Sequence, residues 1–271
     1  MLPPLLAVVT MSHALPPLLF SAQGLPENAA SKASSMSKAE VAAMLKKAEA
    51  GDTASQRRAG LMYVLGREVP QNFSNALKWF GKAAEHGDAE GQYNLAVMYE
   101  QGEGVKPSCA EAIKWYSKAA QQNHVYSIEN LLSIYERGTC VKEDDVEVAR
   151  LTKKLAELGN ANDQLNIGSY YAMGRGVPKD EAEAGRWFAL AAEAGQPLAQ
   201  FMLGQWYRDG RGGVEQNYVM AYKWFTLAVA AGSQVDGRNF LKPKMTAEQI
   251  AAAEKLAEQW KENHSSRGKQ P

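Results

Sequence analysis

The chain has no excess of either charge, since thirty Lys and Arg stand against thirty Asp and Glu in 271 residues. Phosphate binding needs a concentrated basic face, so the charge gives no reason to expect nucleic acid. Histidine is scarce, at His13, His86, His124 and His264, and no two have the spacing of a helix-borne metal site. No metal or other cofactor is expected. His86 and His124 adjoin expected helix C-termini, where capping or simple exposure is the natural role. No uninterrupted run of about 20 apolar residues exists, which argues against a membrane-spanning helix. The Gly-x-Gly turns have no preceding strand and no following Gly-Lys-Ser/Thr, so they are not phosphate loops. Ser35-Met36-Ser37-Lys38 fits a serine-x-x-lysine pattern but lacks the Ser-Asp-Asn and Lys-Thr-Gly companions that such chemistry requires.

What the chain does have is periodicity. A tyrosine returns every 36 residues, at Tyr63, Tyr99, Tyr135, Tyr171 and Tyr207. A glycine follows each one at a fixed offset: Gly66, Gly102, Gly138, Gly174 and Gly210. Trp79, Trp115 and Trp187 fall 16 residues after their tyrosines, while Leu151 takes that place in the third repeat. In the fifth repeat Trp224 is displaced by one, because Arg211-Gly212-Gly213-Val214 is one residue longer than Arg175-Gly176-Val177. A period of this length marks a solenoid, whose units bury their apolar faces only against one another.

Each unit reads as two helices, A and B. Asn72, Ser108, Asp144, Asp180 and Asn217 are placed to cap the start of helix B, and Glu111, Glu147 and Glu183 stand where a capping box would put them. Gly87, Asn123, Gly159, Gly195 and Gly232 tolerate the left-handed conformation that closes it. In the third repeat Leu132 replaces the small residue seen as Gly60, Ala96, Gly168 and Gly204, and Leu151 replaces tryptophan, an exchange that reads as volume compensation.

The stretch 91–99, Gly-Gln-Tyr-Asn-Leu-Ala-Val-Met-Tyr, with Gly102-Glu103-Gly104-Val105 and Ala112-Ile113-Lys114-Trp115-Tyr116, resembles the Sel-1-like repeat, a relative of the tetratricopeptide repeat. The resemblance implies an all-α fold, a right-handed α-solenoid of five 36-residue helix-turn-helix repeats with N- and C-terminal capping helices. The expected layout is an apolar segment and linker over 1–36, a capping helix over 37–51, the repeats over 52–232, a loop and capping helix over 233–262, and a polar tail over 263–271. The apolar segment reads either as a truncated or misassigned secretory signal or as a disordered tail. The first reading places the protein in the periplasm or outside the cell, the second in the cytoplasm, and the terminal helix resembles that of bacterial members.

The resemblance further implies a scaffold that binds a protein or an extended peptide through its A helices and catalyses nothing. A structural part of an envelope or secretion system is the alternative, and a β-lactam-interacting hydrolase a remote one. Asn94, Asn130 and Asn166 form a row by register, on the side that faces peptide in tetratricopeptide relatives, or else they order the stack internally. Tyr93, Glu129, Leu165 and Phe201 form the neighbouring row, with Arg57 and Arg58 adding selectivity. Cys109 and Cys140 lie on equivalent ends of consecutive repeats, open to a disulfide in an oxidising compartment or to two separate thiols.

Overall fold

The computed structural model describes residues 36–267, all helical or turn. The N-terminal segment, and Ser35 of the serine-x-x-lysine pattern, lie outside the described residues. A half repeat comes first, as the single helix α1 (Lys38–Glu49). The A and B helices then alternate: α2 (Thr53–Leu65), α3 (Phe73–Glu85), α4 (Ala89–Gln101), α5 (Cys109–Gln121), α6 (Val125–Arg137), α7 (Asp145–Glu157), α8 (Ala161–Met173), α9 (Glu181–Glu193), α10 (Pro197–Asp209) and α11 (Tyr218–Ala230). Two 3₁₀ turns, Gly237–Phe240 and Lys242–Lys244, lead to α12 (Ala247–Arg267). This is the helix-pair architecture of an α-solenoid with terminal helices. It divides into two compact units between Asp144 and Asp145, inside the third repeat.

Each helix from α2 to α11 is 13 residues long, or about 20 Å. The stop signals explain the uniform length. Every helix A ends on its glycine in the left-handed region, with φ from 61° to 76°. The chain then turns back to the N-cap of helix B, whose backbone N–H donates to the carbonyl of the repeated tyrosine: Asn72 to Tyr63, Ser108 to Tyr99, Asp144 to Tyr135, Asp180 to Tyr171 and Asn217 to Tyr207, at 2.8 to 3.4 Å.

That bond corrects the expected capping boxes. Ser108 and Asp180 do accept from the amides of Glu111 and Glu183, but the return bond from the N-cap amide is already taken by tyrosine. Glu111 binds Lys114 and Trp115 instead, and Glu183 binds Arg186. Complete boxes do form at the two ends of the described residues, where no helix A precedes: Ser37 with Glu40, and Thr246 with Gln249.

Within the 36–144 unit, α4 packs on α5 of its own repeat and on α3 of the preceding one, and the 145–267 unit repeats the pattern with α10, α11 and α9. The small residue of helix A has a clear cause. A Cβ added at Gly60, Gly168 or Gly204 would lie 2.5 to 2.8 Å from the ring of Phe80, Phe188 or Phe225. The partner of the small residue is therefore the position after the tryptophan, which refines the volume argument. At that register the third repeat has Thr152, and Leu132, Leu151 and Thr152 are all fully buried.

A second row was not recognised in the sequence although its spacing is the same 36 residues. Gln56, Gln92, Gln164 and Gln200 are buried, and each donates its amide to a carbonyl in the last turn of the preceding helix: Ala48, Ala84, Ala156 and Ala192, at 3.0 to 3.2 Å. Ile128 takes this place in the third repeat. At the C-terminus α12 runs past the expected end near Lys261, because His264 Nδ1 donates to Trp260 O (2.8 Å) and the ring stacks on Trp260, and the first breaker is Gly268.

Gly168→Leu is expected to destabilise the protein by about 1 to 3 kcal/mol through overpacking against Phe188. Adding Phe188→Thr, which copies the third repeat, should recover most of that loss, as read from urea midpoints.

Candidate functional site

The exposed face of the A helices in the 36–144 unit is built from first turns. Each helix A has its own side-chain cap, at Asp52, Asp88, His124, Asn160 and Gln196. Histidine 124 is thus an N-cap of α6, a role that its position beside the end of α5 concealed. Its Nδ1 accepts from the Ser127 amide at 3.3 Å, which leaves Nε2 as the protonated nitrogen facing Glu90 Oε2 at 3.3 Å. Hydrogen bonding to His124 holds the Glu90 carboxyl below the usual carboxylate range.

Ser127 Oγ also lies 2.9 Å from His124 Nδ1, so serine, histidine and glutamate are in line. This is no nucleophile and base. Ser127 is 0% exposed, and the nitrogen that would take its proton is occupied by the α6 amide. Among the described residues there is no cluster of His, Cys, Asp or Glu that could hold a metal, and no helix is long and apolar enough to cross a membrane. Ser37 caps α1 and Lys38 begins it.

Around His124 gather Tyr93, Tyr116 and Tyr126. The Tyr93 ring lies 4.9 Å from His124, 5.9 Å from Tyr116 and 6.2 Å from Tyr126. Burial, then the charges of Glu90, Glu100 and Glu129, push the Tyr93 phenol up to about 12. The Tyr116 phenol is raised further by burial and by Glu100, whose Oε2 accepts its proton at 2.6 Å. Both phenols stay neutral donors at any ordinary pH. Tyr126 and its neighbour Val125 remain open, at 45% and 41% exposure.

The sequence-derived rows are kept in register but differ in depth. Tyr93 and Asn94 are 3% and 2% exposed, and Leu165 belongs to the core around Ala184 and Phe188, so none of the three is presented to a partner, a correction to the register reading. Small residues at neighbouring positions let the helices approach too closely for these side chains to stay in solvent. Asn130 is 7% exposed, its amide bonds toward Tyr116, and its Oδ1 has no partner. Arg57, Glu129, Asn166 and Phe201 are half-buried and Arg58 is exposed. Arg57 lies 3.9 Å from the capping carboxylate of Asp88, and Phe201 packs 5.4 Å from Phe225. Sequence reasoning missed Glu90, His124 and Tyr126. The first-turn position of Tyr126, two residues after a cap, was the available signal.

Cys109, at the start of α5, and Cys140, in the turn after α6, are joined as a disulfide with Cα atoms 5.6 Å apart. The 31-residue separation corresponds to about 3 to 4 kcal/mol of stabilisation in the chain-entropy treatment.

His124→Ala is expected to cost about 0.5 to 2 kcal/mol by loss of the cap, and His124→Asn to restore much of it. Because folding depresses the Glu90 pKa, its bond to His124 contributes stability near neutrality that is lost as pH falls through the folded value. The asparagine variant should lack that acid-side loss in chemical denaturation at stepped pH.

Five segments of the chain, 53–88, 89–124, 129–160, 161–196 and 197–233, match the Sel1 repeat family. Among solved structures it is similar to a protective antigen present in uropathogenic Escherichia coli strains and displaying an SLR fold, at 36% identity and a TM-score of 0.51. The match covers 82% of this chain and 48% of that one, so this chain spans about half the length of that relative. A Sel1 repeat protein from Oxalobacter formigenes is 32% identical, over 67% of this chain and 72% of its own, with a TM-score of 0.46. No curated protein matches in sequence. With the repeat recurring through most of its length, the chain belongs to the Sel1 repeat family.

Proposed function

We propose that this protein is a non-catalytic scaffold that holds a partner protein by an extended segment laid across the A helices of its 36–144 unit. Sel1 repeats generally mediate interactions between proteins, and that is the broad frame. The observation that carries the finer reading is the open Tyr126, with Val125 beside it, among the half-buried Glu90, Glu129 and Arg57. An exposed aromatic in a polar surround is the composition of an interface anchor. An extended segment brings one N–H and one C=O per residue, rising about 3.3 Å each, and carboxylates and phenols can meet both. Asn166 and Phe201 offer similar chemistry on the other unit by themselves.

The disulfide supports a compartment that oxidises thiols, the periplasm or the exterior, over the cytoplasm. Protein from the native host should then show no thiol available to alkylation before reduction. Two labelled cysteines would overturn that placement.

A photocrosslinker placed at position 126 or 57 in the native cell should attach the same partner, whereas one at Val146, 63% exposed in α7, should not. Tyr126→Ala should then weaken the purified complex about tenfold without changing the thermal midpoint. Equal capture from position 146, or unchanged affinity, removes this face from the function.

A further inference from the structure

Among the described residues, the half repeat leaves a helix face uncovered. In full repeats, four residues of helix B are covered: Ala76, Trp79, Phe80 and Ala83 in α3, with Ala112, Trp115, Tyr116 and Ala119 in α5, and none exceeds 8% exposure. The contacts of Gly60 and Gly168 with Phe80 and Phe188 identify the cover as helix A of the same repeat. In α1 the same register holds Glu40, Ala43, Met44 and Lys47, of which only Met44 is buried. The capping box at Ser37 tells the same story, because its amide bonds Glu40 where a tyrosine carbonyl would otherwise accept.

Between α1 and α2 this leaves a cavity of about 380 Å³, within the roughly 300 to 1,000 Å³ of ligand pockets. Met36, Ala43, Met44 and Ala54 supply its apolar surface, and Lys47 and Arg58 stand at its edges. Glu40 also lines it and feels the charge of Arg58, as Asp52 feels that of Lys47, but Glu40 bonds Ser37, Asp52 caps α2 and Glu49 pairs with Lys82. Lys47 and Arg58 make no ion pair among the described residues. Arg58, expected from sequence beside Arg57 on the peptide face, thus lines this slot.

We propose that the slot docks one helix of a partner protein, apolar along one stripe and carrying carboxylates beside it. Its shape follows from register, since the equivalent face in the full repeats receives a 13-residue helix. Its stripe must be bulky, because Ala43 and Met44 stand where full repeats carry tryptophan and a second large aromatic. Its charge follows from Lys47 and Arg58, which outnumber Glu40, the one carboxylate in the lining. This surface is separate from the peptide face proposed above and does not depend on it.

The probe is a synthetic amphipathic peptide of about 16 residues, long enough to hold helix in contact, with a Leu and Phe stripe flanked by Glu. A control peptide carries Lys in place of each Glu. Fluorescence anisotropy with the full-length protein should show the Glu peptide binding about tenfold tighter than the Lys peptide, from two exposed pairs gained and their repulsion avoided. Lys47→Glu combined with Arg58→Glu should invert that order. Ala43→Asp should abolish binding with an unchanged thermal midpoint, and Tyr126→Ala should leave it intact. No binding, or equal binding of both peptides, overturns the proposal. Binding that appears only after residues before Met36 are trimmed, or only as a dimer dissociates, assigns the slot to the chain's own start or to a second copy and overturns it equally.

Discussion

The hydrogen bond from the N-cap amide of each helix B to the carbonyl of the repeated tyrosine is the constraint on which the repeat geometry rests. It joins the last turn of helix A to the first turn of helix B, so the loop between them is held at both ends. Buried or half-buried backbone groups must find partners, and at a helix terminus several have none within the helix. Here one orphan acceptor of helix A satisfies a donor beside the start of helix B. The left-handed glycine that precedes the loop is what lets the chain turn sharply enough for the two to meet.

A second tie acts between repeats. The buried glutamine amides reach the last-turn carbonyls of the preceding helix, including Ala48 of the half repeat. Each of those carbonyls also accepts from the glycine amide three residues on, so the glutamine amide uses the second lone pair of an oxygen already held at the helix end. The two ties divide the work: tyrosine carbonyls fix the pair within a repeat, and glutamine amides fix each pair on its predecessor. In the third repeat the Asp144 amide still reaches Tyr135, while Ile128 stands in place of glutamine at the junction with the second repeat.

Much of this was legible because caps and left-handed turns are local. Asn72, Ser108, Asp180 and Asn217 cap helices as the side-chain chemistry dictates, and Asn123 takes φ 64° as its position at a helix end requires. Depth was not legible. A register row says which residues share a side of a helix but not how near the next helix lies, and that distance is set by Gly and Ala at other positions. Tyr93 and Asn94 therefore sank into the core, while Tyr126, at a first turn, did not. The glutamine row was overlooked for a related reason: a polar residue on a packed face reads as solvent-facing unless its acceptor, eight residues earlier, is considered. His124 was concealed because a residue between two helices can serve either end.

The fifth repeat shows what this design permits. Its turn is one residue longer, yet Asn217 still donates to Tyr207 at 2.8 Å. Gly212 and Gly213 take up the extra residue at φ 66° and 78°, and a side chain on Gly212 would collide with the Trp206 ring. Because the stacking order is carried by backbone groups and a few buried amides, loop length can change without shifting the helices. The same holds for first-turn positions at the surface, the exposed Ala54, Tyr126, Asn162 and Leu198 and the half-buried Glu90, which share one register and no chemistry. Order and recognition thus rest on different atoms. Substitution along that row alters what the surface can hold while the ties beneath it stay made, which is the property a binding scaffold needs.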